Sequence, residues 1–477
     1  MTMLSLREAA ALIPGASVLG DENTTFERIS TDSRTTGPGD LFVALKGDRF
    51  DAHDFLGDVA NRHVSAALVS RSPGDWRIPA LRVDDTRKAL GALALGWRRR
   101  FSMPLVAVTG SNGKTTVKEM IASIFAAAVG ENMRLATTGN LNNDIGVPLT
   151  LLRLSAAHRL AVVELGMNHP GETELLAKFA EPTVAVVNNA QREHQEFMAT
   201  VEAVALEHAS VIHVLKPSGV AVFPADDAYA SIWRVAATGS RILDFALHTQ
   251  TSAVEAAVTG KLTGEGGNRL AIATPEGHLE VELKVLGAHN AHNALAATAA
   301  AIASGVSLEA IGRGLEAFEP VKGRLQVKRA ALGELAGATV IDDTYNANPD
   351  SVRAAIDVLA SRVSPRVLVL GDMGEVGDDG PAFHREVGAY AKERGIDALY
   401  TLGDAARDSA AAFGAQALHS ADVGELVRSL TGGGYGAGAT ILVKGSRFMQ
   451  MERVVAALTN PPTNPQNPAP DAKSGAH

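Results

Sequence analysis

Leu105-Val106-Ala107-Val108-Thr109-Gly110-Ser111-Asn112-Gly113-Lys114-Thr115-Thr116 runs an apolar strand into a glycine loop that closes on Gly-Lys-Thr. Gly110 and Gly113 allow a tight turn and let the backbone approach phosphate oxygens with no Cβ between them. Successive N–H groups then face an anion, and a helix expected from near Thr115 adds the positive end of its dipole. Lys114 supplies a cation for outer phosphates, and the Thr115 hydroxyl is a hard oxygen suited to Mg2+. Val117, Ile121, Ile124 and Phe125 follow at helical spacing, so the order is strand, phosphate loop, helix. The common pattern G-x-x-x-x-G-K-[ST] would place glycine at 108, where Val108 stands. This loop is a shorter variant.

The chain around the loop is too long for one core: 477 residues predict about three domains. With 46% hydrophobic and 20% charged residues it has an ordinary folded composition. A formal net charge of -9 argues against a nucleic-acid binder, which needs a basic excess. The absence of cysteine excludes disulfides, thiolate nucleophiles and Cys-ligated zinc. Met1–Glu8 lacks the apolar core of a signal peptide, and no apolar run approaches the roughly 20 residues of a membrane span. A cytosolic protein is expected.

Residues 1–85 alternate short apolar runs (Leu41–Leu45, Ala66–Val69, Ala80–Val83) with Gly/Asp/Pro turns, as a small α/β domain does. A helix over Asp85–Arg100 leads into residues 86–319, where strands at Leu105–Val108, Leu160–Leu165, Val184–Asn188 and Val220–Phe223 alternate with helical stretches. That alternation predicts a parallel, doubly wound sheet with ligands at the carboxyl ends of its strands. Ala294–Ala303 reads as helix. Pro320 and Gly323 mark a second boundary, and over residues 320–459 the pattern restarts. Strands are expected at Ala338–Asp342, Arg366–Leu370, Ala398–Leu402 and Ile441–Lys444, with helices through Ser351–Ala360 and Phe383–Arg394. Residues 460–477, rich in Pro, Asn and Ala, are expected to be disordered.

Four polar clusters fall where such a sheet gathers its ligands. Glu164 ends an apolar strand, where it either holds Mg2+, directly or through water, or caps the next turn. Asn188 and His194 repeat that placement one strand on. His289, Asn290, His292 and Asn293 open the Ala-rich helix, as caps or as contacts to a nucleotide. Asp342-Asp343-Thr344-Tyr345-Asn346-Ala347-Asn348-Pro349 packs two carboxylates, a phenol and two amides ahead of a helix whose expected cap is Asp350 or Ser351. With Lys322-Gly323-Arg324 it gives the third domain a face for ATP phosphates and a second substrate, and an arginine there stabilises charge on a transferring phosphoryl group.

Together these residues resemble the Mur ligase family, ATP-dependent enzymes that build the peptide stem of bacterial peptidoglycan. The resemblance runs from about Ser30 to Arg453. It includes Ser30–Arg34, Gly39–Gly47, Thr137–Pro148, Gly371–Glu375 and Val443–Ser446, and the loop is shared with folylpolyglutamate synthetase. The D-D-T-Y-N-A-N-P-D-S turn at Asp342–Ser351 is similar to that of the member adding D-alanyl-D-alanine to UDP-N-acetylmuramoyl-tripeptide. The resemblance implies an α/β chain of three domains: a small N-terminal domain binding the UDP-sugar, a central P-loop ATPase-type parallel sheet, and a C-terminal Rossmann-like domain. ATP would phosphorylate the tripeptide's terminal carboxylate, and the dipeptide amine would attack the acyl phosphate.

Carried over by residue, the resemblance places Gly110, Ser111, Asn112, Gly113, Lys114, Thr115 and Thr116 on the phosphates. It places Thr115, Glu164 and His194 around magnesium. His289 and Asn293 lie near ATP, with Arg324, Asp343 and Asn346 from the third domain. Catalytic duty falls on Lys114, Glu164, His194, Arg324, Asp343 and Asn346. Ser33, Arg34, Lys46 and Gly47 contact the UDP-sugar, while Thr138, Asn140 and Asn143 face substrate between domains. Neither nucleic acid, a membrane nor an obligate protein partner is implied.

One position departs from the family. Many members carry a carbamylated lysine for a second Mg2+ in the helix after the His194 region. That position falls on His208 with Glu207 beside it, and no lysine follows until Lys216. Glu207 or His208 is the expected substitute, unless substrate and water hold the ion. Competing functions are a sister ligase adding one amino acid (diaminopimelate, lysine or folylpolyglutamate type), a phosphate-loop kinase or GTPase, and a non-catalytic nucleotide-binding scaffold. The Tyr345-Asn346-Ala347-Asn348-Pro349 turn argues against the first. The shortened loop, the third α/β domain and the lack of an Asn-Lys-x-Asp motif argue against the second, and the charged Arg324 and Asp343 segments against the third.

Overall fold

Six parallel strands place the glycine loop at the middle of the central sheet. Their order is Arg241–Ile242, Val220–Val222, Val184–Val187, Leu105–Thr109, Leu160–Glu164, Arg134–Ala136. The four inner strands are runs of Val, Ala and Leu buried on both faces, the signature of a parallel sheet covered by helices. Register puts Glu164 beside Val108 and Val187 beside Thr109. The residues that follow these strand ends therefore gather around the loop. This computed structural model describes residues 2–47, 49–71, 78–249, 253–263 and 268–460; the disorder expected over 460–477 lies, from 461 on, outside the described residues.

The loop helix, Lys114–Val129, is capped by Gly113 at φ 82° and packs on the Ala-rich helix Ala288–Ala303 and on Leu308–Ala317. Gly314 is required at that last contact: a Cβ would lie 2.3 Å from Ile124 Cα. A four-stranded sheet over Phe245–Glu282, absent from the sequence expectations, covers this side of the core.

The N-terminal sheet has the order Ser17–Leu19, Ala80–Arg82, Ala66–Val69, Asp40–Val43, Arg28–Ser30, parallel except for its first pair. The helix Thr86–Arg98 joins it to the central sheet. Asp85, expected inside that helix, caps it by accepting from the Arg87 and Lys88 amides at 2.8 and 3.1 Å. Leu90 and Leu93 share one core with Leu41, Leu68, Leu105 and Val163.

The third sheet runs Gln326–Arg329, Thr339–Asp343, Thr440–Lys444, Arg366–Gly371, Ala398–Leu402, Ala417–Ser420, with only the first strand antiparallel. Register pairs Asp343 with Lys444. The helix after the polar turn spans Pro349–Ala360, and its cap is Asn348 rather than the expected Asp350 or Ser351. Asn348 Oδ1 accepts from the Ser351 amide at 2.8 Å, and Ser351 Oγ accepts from the Asn348 amide at 3.0 Å. Pro349 explains the shift. Proline suits the first helical position, so the cap precedes it. Among the described residues, no helix is long and apolar enough to cross a membrane.

Candidate active site

The loop's glycines are dictated by what lies beneath them. A Cβ on Gly113 would meet Asn293 Oδ1 at 2.5 Å and Asn188 Nδ2 at 2.6 Å; one on Gly110 would meet Asn188 Cβ at 2.9 Å. Asn188 Nδ2 donates to Asn293 Oδ1 and to the Asn112 carbonyl, both at 2.8 Å. Asn293 thus acts from below, as a buried brace that fixes the loop. Lys114 Nζ folds back onto the carbonyls of Gly110 and Ser111 (3.1 Å for the latter) and onto Glu193 Oε2 at 3.2 Å.

The loop forms one wall of a cleft of 1510 Å³, lined also by Glu164, His194, His289, Arg324, Asp343, Asn346 and Lys444. Ser111, Asn112, Gly113, Thr115 and Thr116 line it too, as do Asn140 and Asn143. Glu164 is 3% exposed. Its Oε1 accepts from Asn142 Nδ2 at 2.8 Å, while its Oε2 is buried without a hydrogen-bond partner. A buried carboxylate oxygen left unmatched beside a phosphate loop is the donor that a hard divalent cation takes. The residues present fit Mg2+.

The third domain closes on the loop directly. Asn348 Nδ2 donates to Asn112 Oδ1 at 3.0 Å, and Arg324 Nη2 donates to Thr115 Oγ1 at 3.0 Å. Arg192, on the segment after Asn188, donates from Nε to Asp350 Oδ1 at 3.1 Å and from Nη1 to Glu386 Oε2 at 2.7 Å. His194, at φ 47°, brings Nδ1 within 2.6 Å of Glu375 Oε2, which holds that carboxyl below its usual range against its burial. Asp343 is matched by Lys444, whose Nζ donates to Asp343 Oδ2 at 2.6 Å and to the Asn346 carbonyl at 2.8 Å. Five side-chain contacts span the two walls, and the Asp343–Lys444 pair stands within the third-domain wall.

Other expected residues lie apart. Ser33, Arg34, Lys46 and Gly47 sit in the N-terminal domain outside the cleft lining, and Arg34 is engaged by Asp32 through Nε–Oδ1 at 3.0 Å and Nη2–Oδ2 at 2.9 Å. Thr138 Oγ1 accepts from Arg153 Nη1 at 2.9 Å, also off the cleft. Glu207 and His208 have no geometric support as metal ligands. Both Glu207 oxygens are taken by the Gly171 and Thr173 amides, at 2.9 and 2.8 Å, at the start of the helix Glu172–Ala180. Both His208 ring nitrogens are taken as well, by Thr109 Oγ1 and Glu193 Oε1 at 2.9 Å each.

Comparison with known proteins follows the same division. The Mur ligase middle domain matches residues 108–301, and the Mur ligase glutamate ligase domain matches residues 323–447. This chain belongs to the Mur ligase family. It is 38% identical to the UDP-N-acetylmuramoyl-tripeptide–D-alanyl-D-alanine ligase of Haemophilus influenzae, over 96% of this chain and 99% of that one. The crystal structure of MurF from Acinetobacter baumannii superposes with a TM-score of 0.88 at 35% identity, covering 96% of this chain and 99% of the other. MurF ligase from Thermotoga maritima, solved in complex with ADP, gives 0.78 at 25% identity, over 90% and 96%.

In this Mur ligase, His289 is the histidine with the clearest acid signature. Burial, opposed by Asp343, lowers its pKa from 6.5 to about 4. The unfolded chain therefore takes up the proton first as pH falls, so stability declines from about pH 6.5 to about pH 4. Urea midpoints measured across that window should fall for the native chain and fall less for His289→Gln. Sequence reasoning passed over Glu193, Arg192 and the role of Lys444. The signal for Glu193 was present: an acid between Arg192 and His194 just beyond a strand end.

Proposed function

We propose that the chain joins the amine of D-alanyl-D-alanine to the terminal carboxylate of UDP-N-acetylmuramoyl-tripeptide, converting ATP to ADP and phosphate, in the assembly of the peptidoglycan precursor. The observation that carries this is one cleft lined at once by the loop cation Lys114, by Arg324 and Lys444 of the third domain, and by Tyr345, Asn346 and Asn348 of its polar turn. Three domains divide the work: residues 1–85 hold the UDP-sugar through Ser33, Arg34 and the Lys46-Gly47 turn, residues 86–319 hold ATP, and residues 320–459 hold the dipeptide. Thr138, Asn140 and Asn143 guide the tripeptide between them.

A carboxylate oxygen of the tripeptide attacks the γ-phosphorus of ATP, and ADP leaves. The amine nitrogen then attacks the acyl carbon, phosphate departs with that oxygen, and the amine loses its proton as the amide forms. Lys114 and Arg324 stabilise the charge that spreads over the transferring phosphoryl oxygens. Thr115, Glu164 and His194 would hold Mg2+, which when bound shields the phosphate charge from the incoming carboxylate. Asp343 positions Lys444 on the third-domain wall. Such a reaction belongs to the cytoplasm and supports cell shape and division.

A coupled phosphate-release assay across nucleotide-peptides and amines tests this proposal. ATP turnover is expected only with the UDP-tripeptide and a D-Ala-D-Ala-type dipeptide together. Turnover that ignores the dipeptide, or that prefers a single amino acid, favours another reading.

A further inference from the structure

Glu193 is 6% exposed and lines the cleft wall with its two oxygens on different partners. Oε1 accepts from Nε2 of the fully buried His208, whose Nδ1 takes the Thr109 hydroxyl, so the carboxylate is tied to the end of the loop strand. Oε2 lies 3.2 Å from Lys114 Nζ and 3.8 Å from His194 Nε2. This arrangement is balanced only while the ammonium stays where it is.

When nucleotide binds, the loop lysine is the group that reaches the outer phosphates. Were Lys114 drawn onto those phosphates, Oε2 would stay buried beside them without the cation that it has here. A buried carboxylate stripped of its counter-ion beside a second anion is strongly unfavourable. A cation shared by the two anions removes both penalties. Mg2+ is commonly held by one or two carboxylates plus substrate phosphates rather than by a protein cage. Among the described residues, no group of three or more His, Asp or Glu forms such a cage.

We propose that Glu193 Oε2, beside His194, would hold a second Mg2+ taken up with the nucleotide, and that His208 is the positioning residue that aims it. The inference rests on the ligase reading of the cleft. It also accounts for the family departure at position 208. The anion is delivered from residue 193, with His208 behind it, so no carbamate is required.

Mn2+ electron paramagnetic resonance titrations of the full chain with β,γ-methylene-ATP, alongside a nucleotide-binding measurement, test it. The native chain should bind two Mn2+ with nucleotide, unchanged by bicarbonate. Glu193→Gln should keep nucleotide and one Mn2+, with the second weakened about 10- to 100-fold. His208→Gln, which retains an N–H towards Oε1, should keep the second ion better than His208→Leu. That rescue also decides the matter should Glu193→Gln fail to fold. A native chain that binds nucleotide with one Mn2+, a Glu193→Gln chain that keeps two, or a second ion that appears only with bicarbonate overturns the assignment alone. A native chain that binds no nucleotide overturns the ligase reading together with it.

Discussion

Replacing Lys114 with methionine lowers the ligation rate about a thousandfold, the scale lost when a preorganised charge at a transition state is removed. The same change weakens the fold. Glu193 keeps its His208 bond but loses the ammonium that opposes its burial, and breaking a buried pair from one side costs about 3 kcal/mol. In the native chain burial raises the Glu193 pKa, but Lys114 first and then His208 outweigh it and hold the carboxyl at about 2, below its ordinary 4.5. The resulting stability is present above about pH 4.5 and is lost as pH falls through about 2. In Lys114→Met that acid-labile portion shrinks. The double variant Lys114→Met/Glu193→Gln separates the two effects, because neutralising the orphaned carboxylate should restore the urea midpoint but not the rate. Recovery of both would mean that Lys114 is structural.

Arg324→Ala lowers kcat by about a thousandfold as well, in the range known for arginines that stabilise a transferring phosphoryl group. The residue reaches from the third domain to Thr115, its guanidinium lies 4.2 Å from the Tyr345 ring centre, and its Nε is buried without a partner. An unsatisfied donor held by aromatic stacking at the loop is poised for an anion that arrives later. Because the loop, its helix and Lys114 bind nucleotide without it, the affinity for ATP should change little while kcat falls. Arg324→Lys should recover little, since an ammonium lacks the planar fork that stacks on Tyr345 and donates at two points. A fall in ATP affinity equal to the fall in kcat would make Arg324 a ground-state contact instead.

Legibility from sequence followed burial pattern. The inner strands of the central sheet were readable because Leu105–Thr109, Leu160–Glu164 and Val184–Val187 are unbroken apolar runs at their carboxyl-end motifs. The four strands over Phe245–Glu282 were not, because they are half-exposed and their alternation mixes Thr, Lys, Arg and Glu with small residues. The phosphate loop was legible as a motif. What braces it was not: Asn188 and Glu193, on one segment, converge with Asn293 from the Ala-rich helix, and only the fold brings them under Gly113 and Lys114. Glu207 and His208 show the converse. Their position along the chain pointed at a metal, whereas their side chains are occupied by a helix start and by the loop strand.

Oxygen transfer tests the central claim most directly. UDP-N-acetylmuramoyl-tripeptide labelled with oxygen-18 in its terminal carboxylate, ligated to D-alanyl-D-alanine with ATP, should release phosphate carrying one labelled oxygen for each amide formed. The carboxylate oxygen that attacks phosphorus can leave only with it. Unlabelled phosphate accompanying labelled product would contradict activation through an acyl phosphate in this cleft.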